Sequence, residues 1–159
     1  LIALRNEAAG LKKGGKPIWL ISDRSDCAED SGLALFEYLM KSDETAAVRE
    51  SRDIRFVIGA DSPDYAKVQQ TGPVIEAASD LHKAMHIASE LVISSAADEW
   101  IRNPLGADLK YFRDMTESRF VFLQHGVIKD DLSDWLFRLK KNLSIFITSA
   151  NNVSKSDCK

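Results

Sequence analysis

The stretch Val121 to Trp135, VFLQHGVIKDDLSDW, holds the residues closest to catalytic chemistry: an apolar run stops abruptly at Gln124, His125 and Gly126 before an amphipathic segment begins. Histidine suits general-base work, because an unperturbed pKa of about 6.5 leaves much of it neutral and ready to take a proton from an alcohol. A sugar or polyol hydroxyl is a natural substrate group for such a base. Gly126 lets a substrate or neighbouring backbone come close. The plainer alternative is a histidine that caps a strand or bonds an adjacent loop. Lys129, a few residues further on, could approach an anionic group, or it is a solvated loop residue. Asp130 and Asp131 read as caps of a helix starting at Leu132, since carboxylates there satisfy free N–H groups and complement the dipole.

Four other groups of residues bear on chemistry. Asp23 and Arg24, with Asp26, Glu29 and Asp30, follow an apolar run and could bind hydroxyls or, through Arg24, phosphate, or simply form a solvated charged turn. Ser94 and Ser95 end another run, where either hydroxyl could bond substrate; no G-x-S-x-G elbow surrounds them, so a nucleophilic serine is not indicated. His82 and His86 stand four apart on an expected helix, a spacing that can put two imidazoles on one metal, yet no third ligand is evident and no metal site is expected. Gly14-Gly15-Lys16 precedes a strand instead of following it, and G-x-G-x-x-G is missing, so neither a phosphate-binding loop nor a dinucleotide fingerprint is supported. No cofactor is called for.

The elements that must position these residues follow from hydrophobic patterning. Short apolar runs rich in β-branched and aromatic residues recur at Pro17 to Ile21, Ile54 to Ile58, Leu91 to Ile93, Phe120 to Leu123 and Leu143 to Thr148, and each reads as a buried strand. A shorter run at Pro73 to Ala77 adds a sixth. Helical periodicity marks Ser31 to Lys41, Asp80 to Ser89 and Leu132 to Lys141, and Leu1 to Gly10 also has helical character. Ala96 to Met115 reads as a loop followed by a short helix. Near-continuous apolar strands alternating with helices imply an α/β fold with a parallel sheet covered on both faces. Residues at the carboxyl ends of such strands, His125 among them, face the crevice where ligands bind.

Composition narrows the function classes. The chain has 159 residues, 45% hydrophobic and 28% charged, which suits one folded domain rather than a disordered or fibrous chain. A formal charge of -3 and pI near 5.6 argue against a nucleic-acid partner. Cys27 and Cys158 are far apart and fit a reducing, cytoplasmic setting. No apolar stretch reaches the roughly 20 residues of a membrane-spanning helix. Lys12, Lys13 and Lys16 form a basic cluster that could meet anionic lipid or polymer, or be a solvated turn. Residues 1–150 are read as one domain and residues 151–159 as a polar tail at an interdomain boundary; the opening Leu1 suggests a piece of a longer protein.

The stretch around His125 resembles the CDP-glycerol:poly(glycerophosphate) glycerophosphotransferases of teichoic acid and capsule synthesis, through Leu123, Gln124, His125, Gly126, Lys129, Asp130, Asp131 and Leu132. Three further blocks are similar to that family in the same order. These are WLISDR at Trp19 to Arg24 with DSGLALFEYL at Asp30 to Leu39, VISSAADEW at Val92 to Trp100, and SIFITSA at Ser144 to Ala150. Two departures are Ser31, where the family often has Asn, and Ala150, Asn151 and Asn152, where an acidic residue is expected to open the next helix.

The resemblance implies a Rossmann-like, amino-terminal half of a two-domain GT-B-type architecture, with a donor domain beyond it. It implies that a lipid-linked polyol-phosphate or saccharide acceptor sits on this half. CDP-glycerol would be held by the other half, and His125 would serve as base in a transfer that releases CMP. Gly126, Lys129, Asp23, Arg24, Ser94 and Ser95 would bind substrate. The implied setting is the cytoplasm at the inner face of a bacterial membrane, with peripheral membrane contact. Two alternatives remain: a sugar transferase using a nucleotide sugar, and a noncatalytic polymer-binding module.

Overall fold

The computed structural model describes residues 1–124 and 143–147. From the amino terminus, α1 (Ile2–Gly14) leads into β1 (Ile18–Ser22), α2 (Ser31–Lys41), a 3-10 turn at Asp43–Thr45 and α3 (Ala46–Ser51). Then come β2 (Asp53–Ile58), α4 (Tyr65–Thr71), β3 (Val74–Glu76), α5 (Asp80–Ala88) and β4 (Leu91–Ser94). The short α6 (Glu99–Arg102), a 3-10 helix at Gly106–Tyr111, β5 (Arg119–Leu123) and β6 (Leu143–Ile147) complete the described chain.

The strands form one six-stranded sheet in the order β3-β2-β1-β4-β5-β6, and every pairing is parallel. Parallel neighbours need crossovers that lay helices on the faces, which is why both faces of these strands are apolar. Alternate residues serve opposite layers. Ile21, Ile54, Phe56, Ile58, Ile93 and Val121 point to the side packed by Leu33, Phe36 and Leu39 of α2 and Val68 of α4. Ile18, Leu20, Val57 and Ile75 point to the other side, against Met85 of α5 and Leu11 of α1, and Val92, Phe120 and Phe122 continue that layer against Ile101 of α6. Phe36 and Phe56 meet with ring centroids 5.3 Å apart, a spacing at which aromatic pairs add to their burial. The expected parallel α/β fold is therefore present, and its strand order is that of the Rossmann-like doubly wound sheets.

The six expected strands all form. One local expectation is corrected, and two helices are added to those expected. Helix α1 runs on to Gly14, so Lys12 and Lys13 lie in its last turn and complement the carbonyl end of the dipole instead of forming a turn. Lys12 Nζ also donates to the Met115 carbonyl. Helices α3 and α4 were not anticipated, because α3 buries no residue and α4 buries only Val68, which leaves no apolar stripe to read. The expected helix from Leu132 to Lys141 lies outside the described residues.

Candidate functional site

Strand order reverses between β1 and β4: β1's chain continues toward β2 on one side, while β4 leads to β5 on the other. At such a switch the loops leaving the two carboxyl ends part and open a crevice. Ser22 of β1 stands beside Ser94 of β4, so Asp23, Arg24, Ser94 and Ser95, distant in sequence, converge there.

Asp23 forms the floor. It is 1% exposed, and its carboxylate accepts hydrogen bonds from the backbone N–H groups of Asp30 (3.1 Å), Gly32 (2.8 Å) and Leu33 (3.0 Å) and from the Ser95 hydroxyl (2.6 Å). Asp30, the N-cap of α2, accepts from the Ser31 N–H at 2.8 Å. The free N–H groups that every helix start exposes are thus taken by two carboxylates of this chain. In dinucleotide-binding sheets the same helix start receives the ligand's phosphate; here a protein carboxylate fills that position. Gly32 is what allows the approach, since a Cβ there would lie against the Asp23 carboxylate and 2.5 Å from the Ser22 carbonyl oxygen.

The serines complete the seam. Ser95 is bound to Asp23, and the Ser94 hydroxyl, fully buried, reaches the Asp23 carbonyl at 3.4 Å and accepts from the Ala96 N–H at 3.1 Å. Asp23, Ser94 and Ser95 are therefore brought together and directed at one another. Arg24, the next residue, is exposed and makes no hydrogen bond or ion pair among the described residues. Gln124, buried at the end of β5, is held by its N–H to the Ile147 carbonyl at 2.9 Å. His125 follows it in the chain, and His125, Gly126 and Lys129 lie outside the described residues.

One wall of the crevice is the loop after β1, tied to the loop after β2. Gly59 N–H donates to the Ser25 carbonyl at 2.8 Å, the Ser62 hydroxyl to the Asp26 carbonyl at 2.8 Å, and Ala28 N–H to Asp64 Oδ2 at 3.0 Å. Asp26, Glu29 and Asp61 are exposed on this wall, which makes it acidic apart from Arg24. Half-buried Cys27 registers that field: burial first and then the Asp26 carboxylate push its thiol above the usual value, against the pull of Arg24. Such a thiol stays protonated and is a poor nucleophile.

His82 and His86 belong to the core. They are 2% and 3% exposed, with ring centroids 6.3 Å apart in an edge-on arrangement. His82 Nδ1 accepts from the Ala78 N–H at 3.1 Å. Among the described residues no cluster of three His, Cys, Asp or Glu side chains could hold a metal ion. Burial, with the Lys83 charge, lowers His82 to about 4. Burial, with His82, lowers His86 to about 3.

A pH prediction follows from these two rings. Both titrate near 6.5 when unfolded, so below that pH the unfolded state binds more protons than the folded one. Stability is then complete above about pH 6.5 and falls on acidification. One such histidine costs about 2 kcal/mol between pH 7 and pH 5, and the pair at most about 4. Urea unfolding at the two pH values measures this, and His82→Gln/His86→Leu should flatten the dependence. An equal unfolding midpoint at pH 7 and pH 5 would contradict neutral burial.

Lys13 and Lys16 stand at the sheet's other end: Pro17, just before β1, accepts from the Asp53 N–H at the start of β2. The length of β1 separates this cluster from the crevice by roughly 15–20 Å. No described helix is long and apolar enough to cross a membrane.

No family model matches the chain, and no solved structure matches it. It is 38% identical over 141 residues to the minor teichoic acid biosynthesis protein GgaB of Bacillus subtilis (strain 168). That match takes in 89% of this chain and 15% of the relative's length. Identity at this level along nearly the whole chain bears out the resemblance read from the sequence blocks: the protein is a relative of a teichoic acid biosynthesis protein.

Proposed function

We propose that the protein is the amino-terminal, acceptor-side domain of a transferase of teichoic acid or capsule synthesis, moving glycerol phosphate from CDP-glycerol to a polymer hydroxyl and releasing CMP. The observation that carries this reading is the crevice between β1 and β4, whose helix start is closed by Asp23 and Asp30. A domain so closed suits an acceptor, while the nucleotide of the donor is held by a second domain of a GT-B pair.

In the proposed reaction neutral His125 takes the proton of the acceptor hydroxyl as its oxygen attacks the glycerol-bearing phosphorus. The bond from that phosphorus to the bridging oxygen breaks, and CMP leaves with the electron pair. Lys129 and Arg24 offset charge on the transferring phosphate and the acceptor, and Gly126 admits them closely. Asp23, Ser94 and Ser95 hold the floor on which the acceptor rests. The enzyme would work at the inner face of the bacterial membrane on a lipid-linked polyol-phosphate or saccharide acceptor, with Lys13 and Lys16 available to anionic lipid.

The test is donor choice by the intact protein supplied with a lipid-linked polyol-phosphate acceptor. CMP release should require both CDP-glycerol and acceptor. Release of a nucleoside diphosphate from a nucleotide sugar instead would make it a glycosyltransferase. Acceptor binding with turnover of neither donor would make it a noncatalytic polymer-binding module.

A further inference from the structure

Residues 105–115, which cross from α6 to β5, are fastened mainly by α1. Among the described residues their backbone hydrogen bonds close within the segment and its flanks: Gly106 N–H donates to the Asn103 carbonyl at 3.1 Å, Phe112 N–H to Leu109 at 2.9 Å and Met115 N–H to Phe112 at 2.9 Å. A backbone bond toward a neighbouring strand comes only at Arg119, whose N–H donates to the Glu90 carbonyl at 3.0 Å. The 3-10 helix inside the segment buries none of its residues. The side chains the segment does bury, Leu105 and Phe112, meet Ala8 of α1 and Ile87 of α5 in a small cluster joined by Leu4, Leu109 and Met115. That cluster stands apart from the layers on the two faces of the sheet.

The polar ties repeat the pattern. Arg5 donates from Nη1 and Nη2 to the two Asp114 carboxylate oxygens, at 3.1 and 2.5 Å, and from Nη1 to the Tyr111 carbonyl as well. Its guanidinium also lies 5.9 Å from the centre of the Phe112 ring. Two helical turns further on, Lys12 Nζ donates to the Met115 carbonyl, so one face of α1 carries both cationic ties. The hydrogen bond from Arg5 holds the Asp114 carboxyl below its usual pKa. Arg5 and Asp114 keep 39% and 63% of their side-chain surface in water, which leaves the pair open to screening by salt.

We propose that α1 is a strap: it holds residues 105–115 against the body of the domain, and that segment detaches as a unit, with the sheet intact, when the ionic grip is loosened. Few buried side chains and no ladder hydrogen bonds mark the segment as a unit of low local stability. The fold thereby carries an element that responds to ionic strength while its central strands do not. The inference does not depend on the transferase reading.

Native-state hydrogen exchange of the intact protein, resolved by mass spectrometry of its peptides, tests this. Arg5→Ala should speed exchange across residues 105–115 about fivefold and leave β1 and β4 unchanged. Asp114→Ala should act in the same direction, and the double variant should exceed Arg5→Ala by little, because the two remove one shared contact. Raising salt from about 0.1 M to about 1 M should speed the same amides in wild type and not in Arg5→Ala. Phe112→Ala, which empties the small cluster, should speed them about a hundredfold, again without β1 and β4. Equal exchange of the segment in wild type and Arg5→Ala, a salt response that Arg5→Ala retains, or β1 and β4 speeding by the same factor as the segment would each overturn the proposal.

Discussion

Asp23→Ala should destabilise the protein by about 3–5 kcal/mol, measured as the loss in unfolding free energy from urea titration followed by tryptophan fluorescence. The substitution removes one carboxylate and strands four donors, the N–H groups of Asp30, Gly32 and Leu33 and the Ser95 hydroxyl. A buried donor left without a partner costs about 1–3 kcal/mol, more when its partner was charged. Water entering the space offsets part of that sum, which is why the expected loss is below four separate penalties. Asp23→Asn separates charge from shape. The amide keeps the volume but turns one acceptor oxygen into an NH₂ that faces N–H groups, so roughly 2 kcal/mol should be lost. Sulfate or acetate should restore part of the Asp23→Ala loss, because a helix start with open N–H groups takes up small anions. A loss below about 1 kcal/mol in Asp23→Ala would show that the carboxylate does not hold the α2 start.

His125→Ala in the intact protein should lower transfer by about 10²–10⁴-fold, the usual contribution of a positioned general base. The expected loss falls on kcat, while the KM for CDP-glycerol changes little, since the donor is assigned to the other domain. The wild-type rate should also fall on acidification, because a protonated imidazole cannot act as a base. A third result distinguishes a base from a structural histidine: His125→Gln, which keeps hydrogen-bonding capacity but cannot accept a proton, should be as slow as His125→Ala. CMP release near the wild-type rate in either variant would remove His125 from the mechanism.

The two expected effects differ in kind. Asp23 is a positioning residue: it ties the start of α2 to the ends of β1 and β4. Loss of that tie should reduce stability in every assay. His125, by contrast, is expected to reduce turnover at unchanged stability. Measuring both quantities on both variants separates a damaged scaffold from missing chemistry.

The strands were legible because their signal is local. In a sheet covered on both faces nearly every strand residue is buried, so runs such as IWLIS and RFVFL read as strands without reference to the rest of the chain. Helices α2 and α5 were legible for a related reason, since each buries one broad stripe. Helices α3 and α4 were not, having almost nothing to bury. The four ordered blocks pointed to proteins of teichoic acid synthesis, and the 38% identity to one such protein bears that out.

By itself, then, the sequence determined the fold class, the strands and the region where a crevice would open, all from short-range patterns of apolar and polar residues. Only the tertiary structure decided what each polar group there faces. Ser95 lies 72 positions from Asp23, yet its hydroxyl meets that carboxylate at 2.6 Å, because parallel crossovers bring β4 beside β1. The same is true of His82 and His86. Their spacing of four can put two imidazoles on one metal but says nothing of what surrounds them; packing of α5 against the sheet buries both rings. A side chain's type is local, but its partners are set by chain crossings tens of residues long, and those crossings made Asp23 a helix cap and two histidines neutral core residues.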